Sequence, residues 1–190
     1  MDLIKQFKKK VFVQKLNKME KSRIRRIRRS VFLPIFNMIF SGIGRFWKLK
    51  RFVLKLACIQ CGEKTRVLGP LKIGPAVELS IGEDVWVGQD FSIYGSGTCV
   101  IGNRCDIGPN VSILSGSHEI GGPERRAGKG FHYHITIGSG CWLGGKSVLY
   151  GNITIGDSSI VAAGAVVNRN VDKNVIVGGV PAKVIKQILD

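Results

Sequence analysis

At 190 residues the chain is long enough for one domain with a sizeable core and an appendage, and its 44% hydrophobic content excludes a disordered chain. The net charge of +16 is uneven: 17 of the 29 Lys and Arg precede residue 56, where Asp2 and Glu20 are the only acids. The high pI therefore describes an N-terminal arm in need of an anionic partner, and a nucleic-acid-binding body is not implied.

From Leu3 to about Ile27 apolar residues recur at three and four (Leu3, Phe7, Val11; Phe12, Leu16, Met19; Ile24, Ile27) with Lys and Arg between them. This predicts an amphipathic helix, interrupted near Asn17. After Ser30 an apolar run, Val31 to Ile43, is broken by Pro34, Asn37, Ser41 and Gly42 and is followed by Arg45, Phe46, Trp47, Lys48, Lys50 and Arg51. Spanning a bilayer takes about 20 apolar residues, so the run is expected to lie in the interface instead. Residues 1–55 thus read as a basic helical arm held on an anionic leaflet, with packing on a neighbouring subunit as the alternative. Nucleic acid is not expected, because no helix-turn-helix, zinc or aromatic ribonucleoprotein signature accompanies the charge.

Five cysteines form no regular framework, and the basic segment is too long for the start of a secretory leader, so a reducing cytoplasm is the expected compartment. With the arm, this means a peripheral protein on the cytoplasmic face of an inner membrane. Cys58 and Cys61 form a CxxC without a second pair, so no zinc site is expected there.

From about Val67 to Val171 the period is six. Aliphatic residues begin the hexads IGEDVW, VGQDFS and IYGSGT from Ile81, then IGNRCD, IGPNVS and ILSGSH from Ile101. IGSGCW, LGGKSV, LYGNIT, IGDSSI and VAAGAV follow from Ile137, with Val167 next. The residue four later is mostly small, as at Cys105, Val111, Cys141, Ser147, Ser159 and Ala165, and packing is the expected role of both cysteines. One inward aliphatic per six predicts a mainly β fold, a left-handed parallel β-helix with three hexads per triangular coil, and Gly after the aliphatic reads as the means of turning the corner. Spacings of eight, Ile73 to Ile81 and Ile93 to Ile101, read as two-residue corner insertions. The β-helix domain is placed at 56–190, with an inserted loop at about 119–136 and a short C-terminal helix.

The Ser117-His118 pair, the stretch ITIGSGCWLGG with Trp142, the stretch IGDSSIVAAGAVVNRNV and the closing GGVPAKVIK resemble the hexapeptide-repeat acyltransferases, specifically sugar O-acetyltransferases of the maltose and galactoside type and relatives in polysaccharide biosynthesis. The resemblance covers roughly Val67 to Lys186. It implies a homotrimer with sites in the clefts between subunits, acetyl-CoA as co-substrate, a sugar acceptor and no metal. It matches His118 to the family's catalytic base, with Glu119 beside it as a candidate to orient the ring. Trp142 is expected to line the cleft, and Gly145 to offer its N–H to the thioester carbonyl. Ala163 is expected to admit the pantetheine arm, and Arg169 and Lys183 to hold the CoA phosphates. Glu124, Arg125, Arg126 and Lys129 in the inserted loop are placed to read the acceptor.

Three other functions are open. N-acetylation of a nucleotide-linked amino sugar is one, though residues before 56 lack a βαβ pattern. A non-catalytic scaffold is another. A trimeric β-helix carbonic anhydrase would need zinc on His132 and His134, which are expected to face opposite ways unless the chain bends.

Overall fold

The computed structural model describes residues 2–189, with side chains from Met19 onward. Helix α1 (Asp2–Phe40) and helix α2 (Trp47–Leu56) precede a parallel β-solenoid of three sheets. The first sheet is five-stranded: β1 (Gln60–Cys61), β4 (Glu78–Ile81), β7 (Thr98–Ile101), β11 (His134–Ile137) and β14 (Ile153–Ile155). The second is seven-stranded: β2 (Arg66–Val67), β5 (Trp86–Val87), β8 (Asp106–Ile107), β12 (Trp142–Leu143), β15 (Ile160–Val161), β17 (Val175–Gly178) and β18 (Lys183–Gln187). The third is six-stranded: β3 (Leu71–Ile73), β6 (Phe91–Gly95), β9 (Ser112–Ile120), β13 (Val148–Tyr150) and β16 (Val166–Val167), with β10 (Ala127–His132) paired to β9.

The chain visits the sheets in the order first, second, third, and each circuit stacks in register on the last, as in the pairs Ile81 with Ile101 and Ile101 with Ile137. The aliphatics that set the six-residue period fill the axis: none from Ile81 to Val167 is more than 4% exposed. The small position four later, including Cys105, Cys141, Ser147 and Ser159, is buried with them. The cysteine thiols turn to the carbonyls of Gly138 and Gly156, at 3.0 and 3.2 Å. Of the CxxC, Cys58 sits just beyond the end of α2 with φ +56°, and burial pushes the Cys61 thiol up to about 12, so it stays protonated and is no ready metal ligand.

The glycine after each aliphatic serves stacking and not turning. A Cβ at Gly102 would lie 2.7 Å from the Gly138 carbonyl carbon, and one at Gly144 would lie 2.5 Å from the Ala163 nitrogen. The left-handed corner conformation falls two residues later, mostly on non-glycines such as Asp84, Asp90, Arg104, Asn110 and Lys146. This restriction holds at the corners between the first and second sheets and, apart from Leu68 and Ala162, between the second and third. The corner between third and first sheets is looser and accepts Tyr94, Leu114, Tyr150 and Asn168 after the aliphatic. All insertions fall there: two residues at 74–77, two at 95–97, and after Ile113 a long excursion to β11.

Four features differ from expectation. Helix α1 runs unbroken through Asn17, since one Asn costs a helix only a few tenths of a kcal/mol among good helix formers. The run after Ser30 is the end cap of the solenoid: Leu33, Phe36, Phe40 and Leu54 are buried over the first coil, and Phe36 packs against Gly69. The inserted loop is largely an antiparallel ribbon of β9 and β10 turning at 121–126, because β9 continues straight past the corner. The C-terminal helix is instead strand β18, antiparallel to β17, where Pro181 and the β-branched Val184 and Ile185 favour extended chain on the open sheet edge.

The cap is polar at its centre. Arg29, 2% exposed, donates to the carbonyls of Gly74 (2.8 Å), Val77 (2.7 Å), Cys58 (3.1 Å) and Ala57 (3.3 Å). Burial first, and the neighbouring Arg25 charge second, bring its pKa down from the usual guanidinium range to about 10, so it remains a cation at neutral pH. Fully buried Lys50 donates to the carbonyls of Ile43 and Val67 and lies 4.8 Å from the Trp47 ring centroid. Asn37 both donates to the Leu71 carbonyl and accepts from its N–H, as a neighbouring strand would. Replacing Arg29 with Met strands several buried carbonyls, at about 1–3 kcal/mol for each left without a partner, so urea denaturation should show a loss of at least about 2 kcal/mol. An unchanged midpoint would refute the role of this clamp.

Candidate functional site

The site residues divide between two edges of the triangular prism. On the edge between the third and first sheets, the ribbon carries His118 opposite Gly130 and Ser117 opposite Phe131. Ile113 and Ser115 are buried inside the coil, so alternation along β9 puts Leu114, Gly116 and His118 on the outer side. His118 is exposed, and its ring has no hydrogen-bond partner among the described residues. Glu119, its neighbour on an extended strand, is directed to the other side of the ribbon and is not placed to orient the imidazole.

The outer surface below His118 was not singled out from the sequence. Tyr94, Leu114 and Tyr150 stack in register on three successive coils, with Tyr94 49% and Leu114 37% exposed. The Tyr150 hydroxyl meets the Asn168 amide at 3.2 Å, and Arg169 follows at this same corner. The available signal was an aromatic or Leu where the other corners require glycine. The ribbon tip holds Glu124, Arg125 and Arg126, all exposed, and Lys129 lies on β10.

The rings of His132, the last residue of β10, and His134, the first of β11, both turn to the segment 96–98 instead of facing opposite ways. The His132 Nδ1 lies 2.8 Å from the Ser96 hydroxyl, and the His134 Nδ1 lies 2.6 Å from the Thr98 hydroxyl. Both rings are thereby tied to the coil below. Among the described residues, no three His, Cys, Asp or Glu side chains converge as a metal site would require.

The second edge, between the second and third sheets, places Gln89, Pro109, Gly145 and Ala163 at equivalent corners of successive coils. The Gly145 and Ala163 N–H groups have no partner among the described residues, whereas the carbonyls of Pro109 and Gly145 accept from Lys146 and Gly164. Small side chains and open N–H groups therefore line this edge. Trp142, 55% exposed, stands beside it on β12 between Asp106 and Ile160. Lys183 lies opposite Gly178, near the same edge.

One chain thus brings together Trp142, Gly145, Ala163 and Lys183, and separately His118 and Arg169. Extended strand β9 alone spans six residue steps from Ser112 to His118, roughly 20 Å at about 3.3 Å each. A base on the ribbon is therefore out of reach of a group held at Gly145 of its own chain.

Residues 134–169 match the bacterial transferase hexapeptide family (six repeats). The galactoside O-acetyltransferase of Escherichia coli K12 is 33% identical over 124 residues, 62% of this chain and 61% of that one, so the match spans less than two thirds of that relative. A putative acetyltransferase of Dictyostelium discoideum is 35% identical over 127 residues, 67% of each chain. The putative colanic acid biosynthesis acetyltransferase WcaF of Escherichia coli K12 is 29% identical over 144 residues, 74% of this chain and 76% of that one. Among solved structures, a galactoside acetyltransferase in complex with coenzyme A matches with a TM-score of 0.77 at 26% identity, covering 90% of this chain and 84% of that one. Repeat, coil geometry and these likenesses agree, and the chain belongs to the hexapeptide-repeat acyltransferase family.

Proposed function

We propose that the protein is an acetyl-CoA-dependent O-acetyltransferase acting on a sugar hydroxyl of a bacterial surface polysaccharide or of its lipid-linked or nucleotide-linked precursor. The carrying observation is the pairing of an exposed, unpartnered His118 on one edge with open N–H groups and small side chains at Gly145 and Ala163 on another. The CoA complex of the galactoside enzyme supports the donor, and the likeness to WcaF supports the polysaccharide setting.

In this reading the second edge belongs to a neighbouring subunit of a homotrimer, so that a cleft between copies completes the site. The pantetheine arm lies along Gly145 and Ala163, Lys183 and Arg169 meet the CoA phosphates from opposite walls, and Trp142 closes the cleft. His118 takes the proton as the acceptor oxygen attacks the thioester carbonyl carbon. The Gly145 N–H stabilises the oxyanion of the tetrahedral intermediate. Collapse breaks the carbon–sulfur bond, and the proton held by His118 passes to the departing thiolate, giving the acetyl ester and free CoA. Tyr94 and Leu114 offer the acceptor ring an apolar platform on the side where His118 stands.

The arm holds this enzyme on an anionic membrane surface. Among the described residues no helix is long and apolar enough to cross a membrane. The outward faces of α1 and α2, with the turn before α2, nevertheless expose Ile27, Val31, Met38, Phe46, Leu49 and Phe52 among Arg23, Arg26 and Lys48, the combination that in-plane attachment requires.

Replacing His118 with Ala should lower acetyl transfer to carbohydrate acceptors by about 10²- to 10⁴-fold while calorimetry still detects CoA binding. Near-normal turnover would refute its role as base. Ala163→Leu should raise the KM for acetyl-CoA with a smaller change in kcat, and an unaltered KM would remove the donor from that edge. On flotation, the protein should rise with vesicles rich in phosphatidylglycerol and not with phosphatidylcholine vesicles; failure to rise at physiological salt ends the membrane reading.

A further inference from the structure

We propose that the cavity between α1 and the outer face of the first sheet binds a phosphate monoester or diester carried on a hydroxylated group. The space measures about 720 Å³, enough for a sugar phosphate or a phospholipid head group. It is lined by four cations, Lys21, Arg25, Arg28 and Lys55, against a single carboxylate, Glu78.

Two of the cations are fixed in place. Arg25 donates to the Glu78 carboxylate at 2.7 Å and to the Ala76 carbonyl at 3.1 Å, and Arg28 donates through Nε to the Leu56 carbonyl at 2.8 Å. Glu78 is thereby committed, and both terminal nitrogens of Arg28 have no partner among the described residues; nor do the ammonium groups of Lys21 and Lys55. The surplus of positive charge is felt nearby, since the Arg25 charge contributes, after burial, to lowering the Arg29 pKa. Like charges gathered this way disfavour one another, and a dianion relieves them. A pre-positioned guanidinium also matches the geometry of phosphate oxygens.

The opposite wall is suited to the remainder of such a ligand. Gln60, Ser80 and Thr98 supply an amide and two hydroxyls from the strands of the first sheet. Ile24 and Val100, 48% and 47% exposed, give the cavity apolar contacts. Cations, hydroxyls and an apolar border together fit a phosphate ester better than a bare inorganic anion or a protein carboxylate. None of the residues assigned to acetyl transfer lines the cavity, so the proposal stands whether or not that reading does.

The test is calorimetric titration of the full chain, with CoA present to fill the donor groove, by glucose 1-phosphate, by dihexanoyl phosphatidylglycerol below its micelle concentration, and by glucose. Saturable binding of at least one phosphate ligand, tighter than any binding of glucose, is expected. The double variant Lys21→Gln, Lys55→Gln should weaken it by about tenfold or more, since each lysine contributes a charge-assisted contact. Neither lysine makes a hydrogen bond to the described fold. Lys64→Gln with Lys173→Gln, exposed residues elsewhere, removes the same charge and should leave affinity unchanged. Binding of glucose 1-phosphate identifies a soluble ester as the source, and binding of the phospholipid alone identifies a head group. Absence of binding by both phosphate ligands, or equal weakening in the two double variants, overturns the site.

Discussion

The spacing between stacked coils governs everything else in this molecule. Parallel strands pair at about 4.8 Å, and at that distance the glycine that follows most inward aliphatics at two of the three corners, Leu68 and Ala162 excepted, has no room for a side chain. A Cβ at Gly156 would come within 2.4 Å of the Lys173 nitrogen. Those two corners keep one length throughout, and insertions are confined to the third. That corner holds both short insertions, the ribbon that carries His118, the exposed Tyr94 and Leu114, and the half-buried Tyr150. The geometry that makes the stack regular therefore also decides where chemistry can be added to it. Gly145 and Ala163 are small where the equivalent positions of the two earlier coils carry Gln89 and Pro109, and they leave an open strip along that edge.

A stack of coils must also end. Its first coil presents backbone groups with no strand beneath them, and an apolar cover alone would leave those groups unsatisfied. The helices meet this with cations and an amide. Arg29 gathers four carbonyls, Lys50 two, and Asn37 imitates a strand against Leu71. Carbonyl dipoles stand in for a counter-ion at Arg29, which explains how a guanidinium is buried without a carboxylate partner. The same residues divide the described part of the arm in two: from Met19 onward one face of α1 belongs to the solenoid, and the other is available to a surface.

The period of six was legible because it is written at every coil, and the inward aliphatics from Ile81 to Val167 behave as their spacing implies. The cap was not, because the apolar run around Phe36 has the same composition whether it meets lipid or a protein core, and nothing local in Arg29 or Lys50 signals that each will be buried. The C-terminal segment was misread for a related reason: its alternation is short, and the open edge of β17 decides its form. His118 was found through its family motif. Its separation from Gly145 within one chain depends on which corner carries the ribbon, and that follows from coil geometry. Pairing of His132 and His134 with Ser96 and Thr98 depends on a register across 36 residues that the ribbon conceals.

The cap stands first in the chain, and its polar contacts join residues 25–78. During synthesis it is therefore complete before most of the coils have been made. Each later circuit then meets an edge already formed, whose free groups specify its register and whose glycines set its distance. The polar contacts of the cap reach no further than Glu78, so the number of coils is free to change at the far end without altering the beginning.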